Sequence, residues 1–455
     1  MAERLVVIGG DAAGMAAASQ AKRLRPDLEV VAFERSHFAS YSACGIPYWI
    51  AGDVGDAGPL IARSPEEHRK NGIDLRMRTD VVEVDLDRGT VKAREHDTGQ
   101  TSEVGFDQVV FATGAAPVRP DLPGSDAAGI FGVQTLDDGA AVIAELKHEP
   151  RRAVVVGGGY IGVEMAEALF RHGLEVTVVE RGKEPMRTLD PDMAAIVHHA
   201  MECLGVDVRT NSAAEGFDAD AEGHVRGVTV GGETLPADLV VLGLGVRPET
   251  SVARAAGLPV GRANGLCTDL RMRMPGRSGV WAAGDCVETI DRVSGLRVHM
   301  PLGTHANKQG RVAGTNIGGG YATFPGVVRT AVSRVCDLEI ARTGLLEADA
   351  EQAGFGFVTA RIESTTRAGY FPGAEKITVK VLAERRTGRL LGGQIVGQED
   401  SGKRIDALAV ALWNEMTVEE ITSLDLGYAP PFSPVWDPVL ISARKAADAV
   451  RTADH

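Results

Sequence analysis

Cys44 stands in the run Ser40-Tyr41-Ser42-Ala43-Cys44-Gly45-Ile46-Pro47-Tyr48, and its sulfur is the most reactive group that this stretch offers. A cysteine does chemistry as a thiolate, a sulfenic acid or a mixed disulfide. The chain has five cysteines, and Cys203, Cys267, Cys286 and Cys336 are scattered singly with no C-x-x-C pair. The positions that would complete a C-x-x-x-x-C pair hold Ala39 and Trp49. If Cys44 does chemistry, it works alone, and any disulfide is made with an outside thiol. The bland alternative is a buried structural cysteine. Gly45-Ile46-Pro47 predicts Cys44 near a helix start, where the dipole lowers a thiol pKa.

The elements around it read as nucleotide-binding units. Arg4–Ile8 is an apolar β-branched run, followed by Gly9-Gly10-Asp11-Ala12-Ala13-Gly14 and an Ala-rich helix to about Leu24. A second strand ends at Phe33, with Glu34 next. This is a βαβ dinucleotide fingerprint in which Asp11 replaces the middle glycine. A complete copy follows: strand Arg152–Val156, Gly157-Gly158-Gly159-Tyr160-Ile161-Gly162, a helix from about Val163 to His172, and a strand ending at Glu180. In each copy the helix N-terminus offers free N–H groups to a pyrophosphate, and the acidic residue accepts ribose hydroxyls. Gln108–Phe111 and Leu239–Leu242 are strands that run toward glycine turns. Val280–Ala283 is a strand that runs into Gly284-Asp285, where ligands bind in open α/β sheets. A helix N-cap is the alternative role for Asp285. From about Thr323 the texture changes to an α+β tail. Strands are expected over Thr330–Ala341, Lys376–Leu382 and Leu390–Val396, and a helix over Lys403–Met416. The stiff strip Asp425–Phe432 is expected to stay extended, fixing Tyr428.

A chain of 455 residues is too long for one core. A net charge of -14 argues against nucleic acid or an anionic membrane as partner. No apolar run reaches the roughly 18 residues of a membrane helix. Scattered cysteines suit a reducing, cytoplasmic location.

These motifs, with Ala112-Thr113-Gly114, Ala282–Cys286 and the tail, resemble the flavin-dependent pyridine nucleotide–disulfide oxidoreductases over essentially the whole chain. The single cysteine resembles the branch holding coenzyme A disulfide reductases, NADH oxidases, NADH peroxidases and persulfide reductases. The stretches around Tyr370 and Tyr428 look most like the coenzyme A disulfide reductases. The resemblance implies an α/β fold with two Rossmann-like dinucleotide-binding domains, for FAD and for NAD, and a C-terminal α+β dimerisation domain. The expected segments are 1–118 with 243–322 for FAD, 119–242 for NAD(P), and 323–455 for dimerisation.

The resemblance also assigns residues. FAD contacts are expected from Gly9, Gly10, Gly14, Glu34, Arg35, Thr113, Gly114, Gly284, Asp285 and Ala306. Gly157, Gly159, Gly162 and Glu180 are expected to hold the nicotinamide nucleotide. Coenzyme A contacts are expected from Gln20, Arg23, Ser40, Asn307 and Lys308, with Tyr370 and Tyr428 reaching Cys44 of the partner subunit in a homodimer. Glu180 favours NADH, while Arg181 and Lys183 soften the bias against NADPH. Oxidase and peroxidase members carry a histidine where this chain has Ala12. Coenzyme A disulfide reductases carry Asn where it has Ala43, and some carry Lys where it has Trp436. The expected reaction is reduction of a small disulfide or persulfide; oxygen or peroxide reduction, or a flavin-based redox sensor, are the alternatives.

Overall fold

The computed structural model describes residues 3–453. Its first sheet is built from β1 (Arg4–Ile8), α1 (Ala12–Leu24), β2 (Glu29–Phe33), β3 (Ile73–Arg76) and β4 (Gln108–Phe111). The second is built from β5 (Ile130–Phe131), β6 (Arg152–Val156), α2 (Tyr160–Arg171), β7 (Glu175–Val179), α3 (Pro191–Leu204), β8 (Asp207–Arg209) and β9 (Leu239–Leu242). The chain then returns to the first sheet through β10 (Val280–Ala282) and α4 (Gly303–Ile317). The orders are β10-β4-β1-β2-β3 and β8-β7-β6-β9-β5, with every neighbouring pair parallel. Leu5–Ile8 and Ala153–Val156 are buried without alternation, as parallel strands covered on both faces require.

Helices α1 and α4 touch through their backbones. A Cβ on Gly310 would lie 2.2 Å from the Ala13 carbonyl oxygen, and one on Gly314 would lie 2.4 Å from that of Ala17. These glycines, one helical turn apart, bring Gln20 to Thr315, a residue far along the chain, at 3.0 Å.

The third sheet is antiparallel: β11 (Ala331–Val335), β12 (Leu338–Gly344), β13 (Phe357–Thr365), β14 (Lys376–Glu384) and β15 (Leu390–Gly397), ordered β11-β12-β15-β14-β13. Helices α5 (Ile405–Trp413) and α6 (Pro438–Ala453) pack against it. The single strand expected over Thr330–Ala341 is a hairpin. Cys336 takes φ 53°, and the two-residue turn Cys336-Asp337 reverses the chain. The turn lacks glycine and proline, so the pattern does not announce it. Helix α2 starts at Tyr160, three residues early, because Gly159 acts as its N-cap. Helix α5 is shorter than expected and follows a tight turn over Gly402–Arg404. The strip carrying Tyr428 is not extended throughout. It bends at Pro430-Pro431, where Phe432 and Ser433 donate to the Ala429 carbonyl at 2.9 and 3.1 Å.

The second and third units are pinned together. Lys380, 4% exposed, places Nζ 2.6 Å from Asp192, 2.8 Å from Glu347 and 3.1 Å from Asp190. Such a charge is tolerable inside only because its partners come with it. The β11–β12 hairpin rests on α2: Ser333 Oγ donates to Glu164 at 2.6 Å, and the Cys336 N–H donates to Glu167 at 2.8 Å.

Candidate active site

The two glycine turns share one design. Gly9 has φ 115°, and a Cβ there would lie 2.0 Å from the Ala112 carbonyl oxygen; Gly157 has φ 101° and stands 2.5 Å from that of Gly243 in the same sense. At Gly14 and Gly162 a Cβ would come within 1.9 Å of the carbonyl oxygens of Gly9 and Gly157, so each helix sits directly on its turn. The acidic strand ends match as well. Glu34 accepts from the N–H of Gly10 at 2.7 Å and of Ser36 at 2.8 Å. Glu180 accepts from the N–H of Gly158 at 2.8 Å and of Gly182 at 2.6 Å. Both carboxylates are buried and held by backbone donors at the rim of the turn.

The substitution at the middle glycine has a simple account. At Gly159 a Cβ would meet nothing nearer than the Gly243 oxygen at 3.8 Å, so the protein itself leaves room there. Asp11 uses that room and turns its carboxyl aside to accept the Tyr41 N–H at 3.0 Å. Burial pushes this carboxyl up to about 7, with Glu34 and Asp285 adding to the rise.

Both turns open on one cavity of about 2420 Å³. Gly9, Glu34, Arg35, Thr113, Gly114, Gly284, Asp285 and Ala306 line one side, Gly159, Tyr160 and Glu164 the other, and Cys44 also lines it. Gly10, Gly14, Gly157, Gly162 and Glu180 stand behind the wall as its frame. Asp285 is raised to about 6 by burial. It caps no helix, since the strand Val287–Ile290 follows. Gly284 N–H is held by Gln309 at 2.8 Å, and His299 donates to the Asp285 carbonyl at 2.8 Å. A long cavity with a phosphate turn and a pinned carboxylate at two places fits two dinucleotides.

Cys44 does not have the lowered thiol expected of it. It lies in a short turn, Ala43–Gly45, before a helix of five residues, Ile46–Ile50. Burial raises its pKa, and the carboxylates of Glu164 and Asp285 raise it further. So short a helix adds too little dipole to outweigh them. Glu164, itself raised to about 7 by burial, was not singled out in the sequence. Its only signal there is its place one helical turn beyond Tyr160.

A second cavity of about 790 Å³ lies between α1 and α4. Gln20, Asn307 and Arg311 line both cavities, so the two adjoin. Arg23, Arg63 and Lys22 give it a cationic lining. The Lys22 amine is engaged by the carbonyls of Pro26 and Leu28, and Arg23 donates to Gln20. Lys308 lines the main cavity, and Ser40 lines neither cavity, because its hydroxyl pairs with His68 Nε2 at 2.8 Å. Arg63 and Arg311 were missed in the sequence, where nothing local marks them.

Neither Tyr370 nor Tyr428 lines the cavity that holds Cys44 in this subunit. They are exposed, at 79% and 48%, on the third unit. A hydrogen bond from Ala368 N–H to the Pro430 carbonyl at 3.1 Å joins their loops. The Tyr428 hydroxyl is pushed up by partial desolvation and by the Tyr370 phenol beside it.

Paired dinucleotide turns opening on one cavity that also holds a cysteine define a pyridine-nucleotide-linked redox protein. The chain belongs to the pyridine nucleotide–disulphide oxidoreductase family. Residues 3–310 match the family's model, and residues 330–438 match the model of its dimerisation domain. It is thus an FAD- and NAD(P)H-dependent oxidoreductase. The chain is 38% identical to the NAD(P)H coenzyme A polysulfide/persulfide reductase of Pyrococcus horikoshii, over 98% of each chain. It is 36% identical to an NADH oxidase of Methanocaldococcus jannaschii, over 97% of this chain and 98% of that one. The structure of an NAD-dependent persulfide reductase from A. fulgidus superposes with a TM-score of 0.95 at 37% identity, covering 99% of this chain and 84% of that one. Among the described residues no helix is long and apolar enough to cross a membrane.

Proposed function

We propose that the protein reduces a low-molecular-weight disulfide or persulfide, foremost that of coenzyme A, through Cys44. The observation that carries this reading is the cationic second cavity adjoining the one that holds Cys44. A thiol carrying several phosphates would lay its charged end against Arg23, Arg63 and Arg311 and send its sulfur toward Cys44. Names of relatives agree, since a polysulfide/persulfide reductase and coenzyme A disulfide reductases are among them.

Bound FAD supplies a hydride acceptor for the nicotinamide and a two-electron donor for sulfur. The chain does the rest. Gly157, Gly159 and Gly162 receive the nicotinamide nucleotide's pyrophosphate, and Glu180 meets its ribose, which favours NADH. Gly9, Gly14, Glu34 and Asp285 hold the flavin nucleotide. The Cys44 thiolate attacks the nearer sulfur of the substrate; a bond forms from Cys44 Sγ, the S–S bond breaks, and the outer thiolate leaves. The exposed phenols of Tyr370 and Tyr428, carried across a homodimer, donate a proton to that thiolate. Phe432, Val435 and Trp436, exposed beside them, supply the apolar area such an interface needs.

The test is NADH oxidation with coenzyme A disulfide, coenzyme A persulfide, hydrogen peroxide or oxygen, in wild type and Cys44→Ser. The variant should reduce bound flavin but lose disulfide turnover. Disulfide turnover at the wild-type rate in Cys44→Ser would sink the assignment. So would a tenfold preference for peroxide.

A further inference from the structure

We infer that Cys203 and Cys336 form a second thiol pair that low-molecular-weight disulfides oxidise to an internal disulfide, locking α3 to the β11–β12 hairpin. Neither cysteine takes part in the Cys44 chemistry. Cys203 lies in the last turn of α3 and is exposed. Cys336 is half-buried at the hairpin turn, with its Sγ 3.8 Å from the carbonyl oxygen of Ala200. Ala200 and Cys203 are three apart on one helix and therefore share a face. Cys203 stands close enough to Cys336 to disfavour its thiolate.

The hairpin holds Cys336 in place. Its N–H donates to Glu167 at 2.8 Å, and Ser333 is held by Glu164 two residues into β11 from the turn. The backbone at Cys336 has φ 53°, a conformation that glycine, asparagine or aspartate takes at lower cost. A β-carbon pays for that conformation here, and it presents a thiol to α3.

The two sulfurs have different roles. Cys203 is solvent-accessible, and His199 Nε2 lies 3.6 Å from its Sγ, one helical turn back. The imidazole is placed to take the thiol proton, so Cys203 is the entry nucleophile. Burial, with Glu167 and Asp337, pushes the Cys336 thiol up to about 12, which keeps it from reacting first with outside reagents. The steps balance. Cys203 thiolate attacks a small disulfide RSSR, forming a Cys203–SR bond and releasing one RS⁻. Cys336 thiolate then attacks Cys203 Sγ, forming the internal disulfide and releasing a second RS⁻. The two protein thiols give up two electrons, which RSSR takes, and two protons, which the two departing thiolates take up. Closure needs the two Cα atoms within about 7 Å, and the Cys336 sulfur already lies against the helical turn that carries Cys203, at the Ala200 carbonyl.

The test uses the FAD-loaded protein carrying Cys44→Ser, so that the probe is not turned over. Glutathione disulfide is the probe, free thiols are then alkylated, and unreduced peptides are read by mass spectrometry. The Cys203–Cys336 linked peptide should become the main form of both residues. Adding Cys336→Ser should leave Cys203 as a glutathione mixed disulfide, and adding Cys203→Ser should leave Cys336 free. In the protein with both cysteines present, a stable mixed disulfide at Cys203 beside an alkylated Cys336 would overturn the pairing. Absence of any product at Cys203 would overturn its role as entry point.

Discussion

Glu164 is the residue whose removal should most change the reactivity of Cys44. After burial, its carboxylate is the charge that raises the thiol most, and it lines the same cavity. A like charge in a site of effective dielectric about 20 costs a thiolate on the order of 1–2 kcal/mol. Glu164→Gln should therefore bring the Cys44 thiol down toward its ordinary value. The neutral amide still accepts from Ser333, so the packing survives. Alkylation of Cys44 by iodoacetamide tracks its thiolate fraction, and at pH 8 it should be about tenfold faster in the variant. The effect must itself depend on pH. Glu164 is raised from 4.5 to about 7, so below that pH it is neutral in the wild type and the two proteins converge. Stability should follow the same group. A carboxyl with a raised folded-state pKa favours the fold while protonated, and that contribution is lost as pH rises from 4.5 through about 7. Glu164→Gln should therefore raise the unfolding midpoint at pH 8, by up to about 3 kcal/mol in free energy, and not at pH 4. Glu167→Gln is the control, because Glu167 adds to the Tyr48 pKa but is not among the charges acting on Cys44. An alkylation ratio that stays near one from pH 6 to pH 9, or that the control reproduces, would refute the coupling.

Gly9→Ala should yield protein that purifies without flavin, since a Cβ there would lie 2.0 Å from the Ala112 oxygen on a backbone at φ 115°. A fully yellow preparation of normal stability would contradict it. Arg23→Ala combined with Arg311→Ala should raise KM for coenzyme A disulfide at least tenfold while leaving KM for NADH within twofold; equal effects on both would mean that the second cavity does not hold the substrate. If Glu180 meets the ribose as proposed, NADH should exceed NADPH in kcat/KM, and Glu180→Gln should narrow the gap. A clear NADPH preference in the wild type would show that Arg181 or Lys183 dominates.

The nucleotide turns were legible in the sequence because each is local. A turn, its helix and its acidic strand end fall within about 30 residues, so spacing and residue type carry nearly all of the geometry. The isolation of Cys44 was legible for the same reason. The state of its sulfur was not, because the thiol answers to Glu164 and Asp285, which reach it only after the second and first sheets have met around the cavity. The cationic pocket is likewise a product of packing. Gly310 and Gly314 let α4 lie on α1, and only that contact sets Arg311 beside Arg23, with Arg63 arriving from a loop. The break at Cys336 escaped notice because its turn carries no glycine or proline, and Glu167, on a helix of another unit, holds the hairpin where it is. Local spacing thus determined that the chain is built around two dinucleotides. Long-range contacts, whose partners lie far apart in sequence and leave no period in it, decided how reactive the cysteine is and what charge lines the cavity beside it.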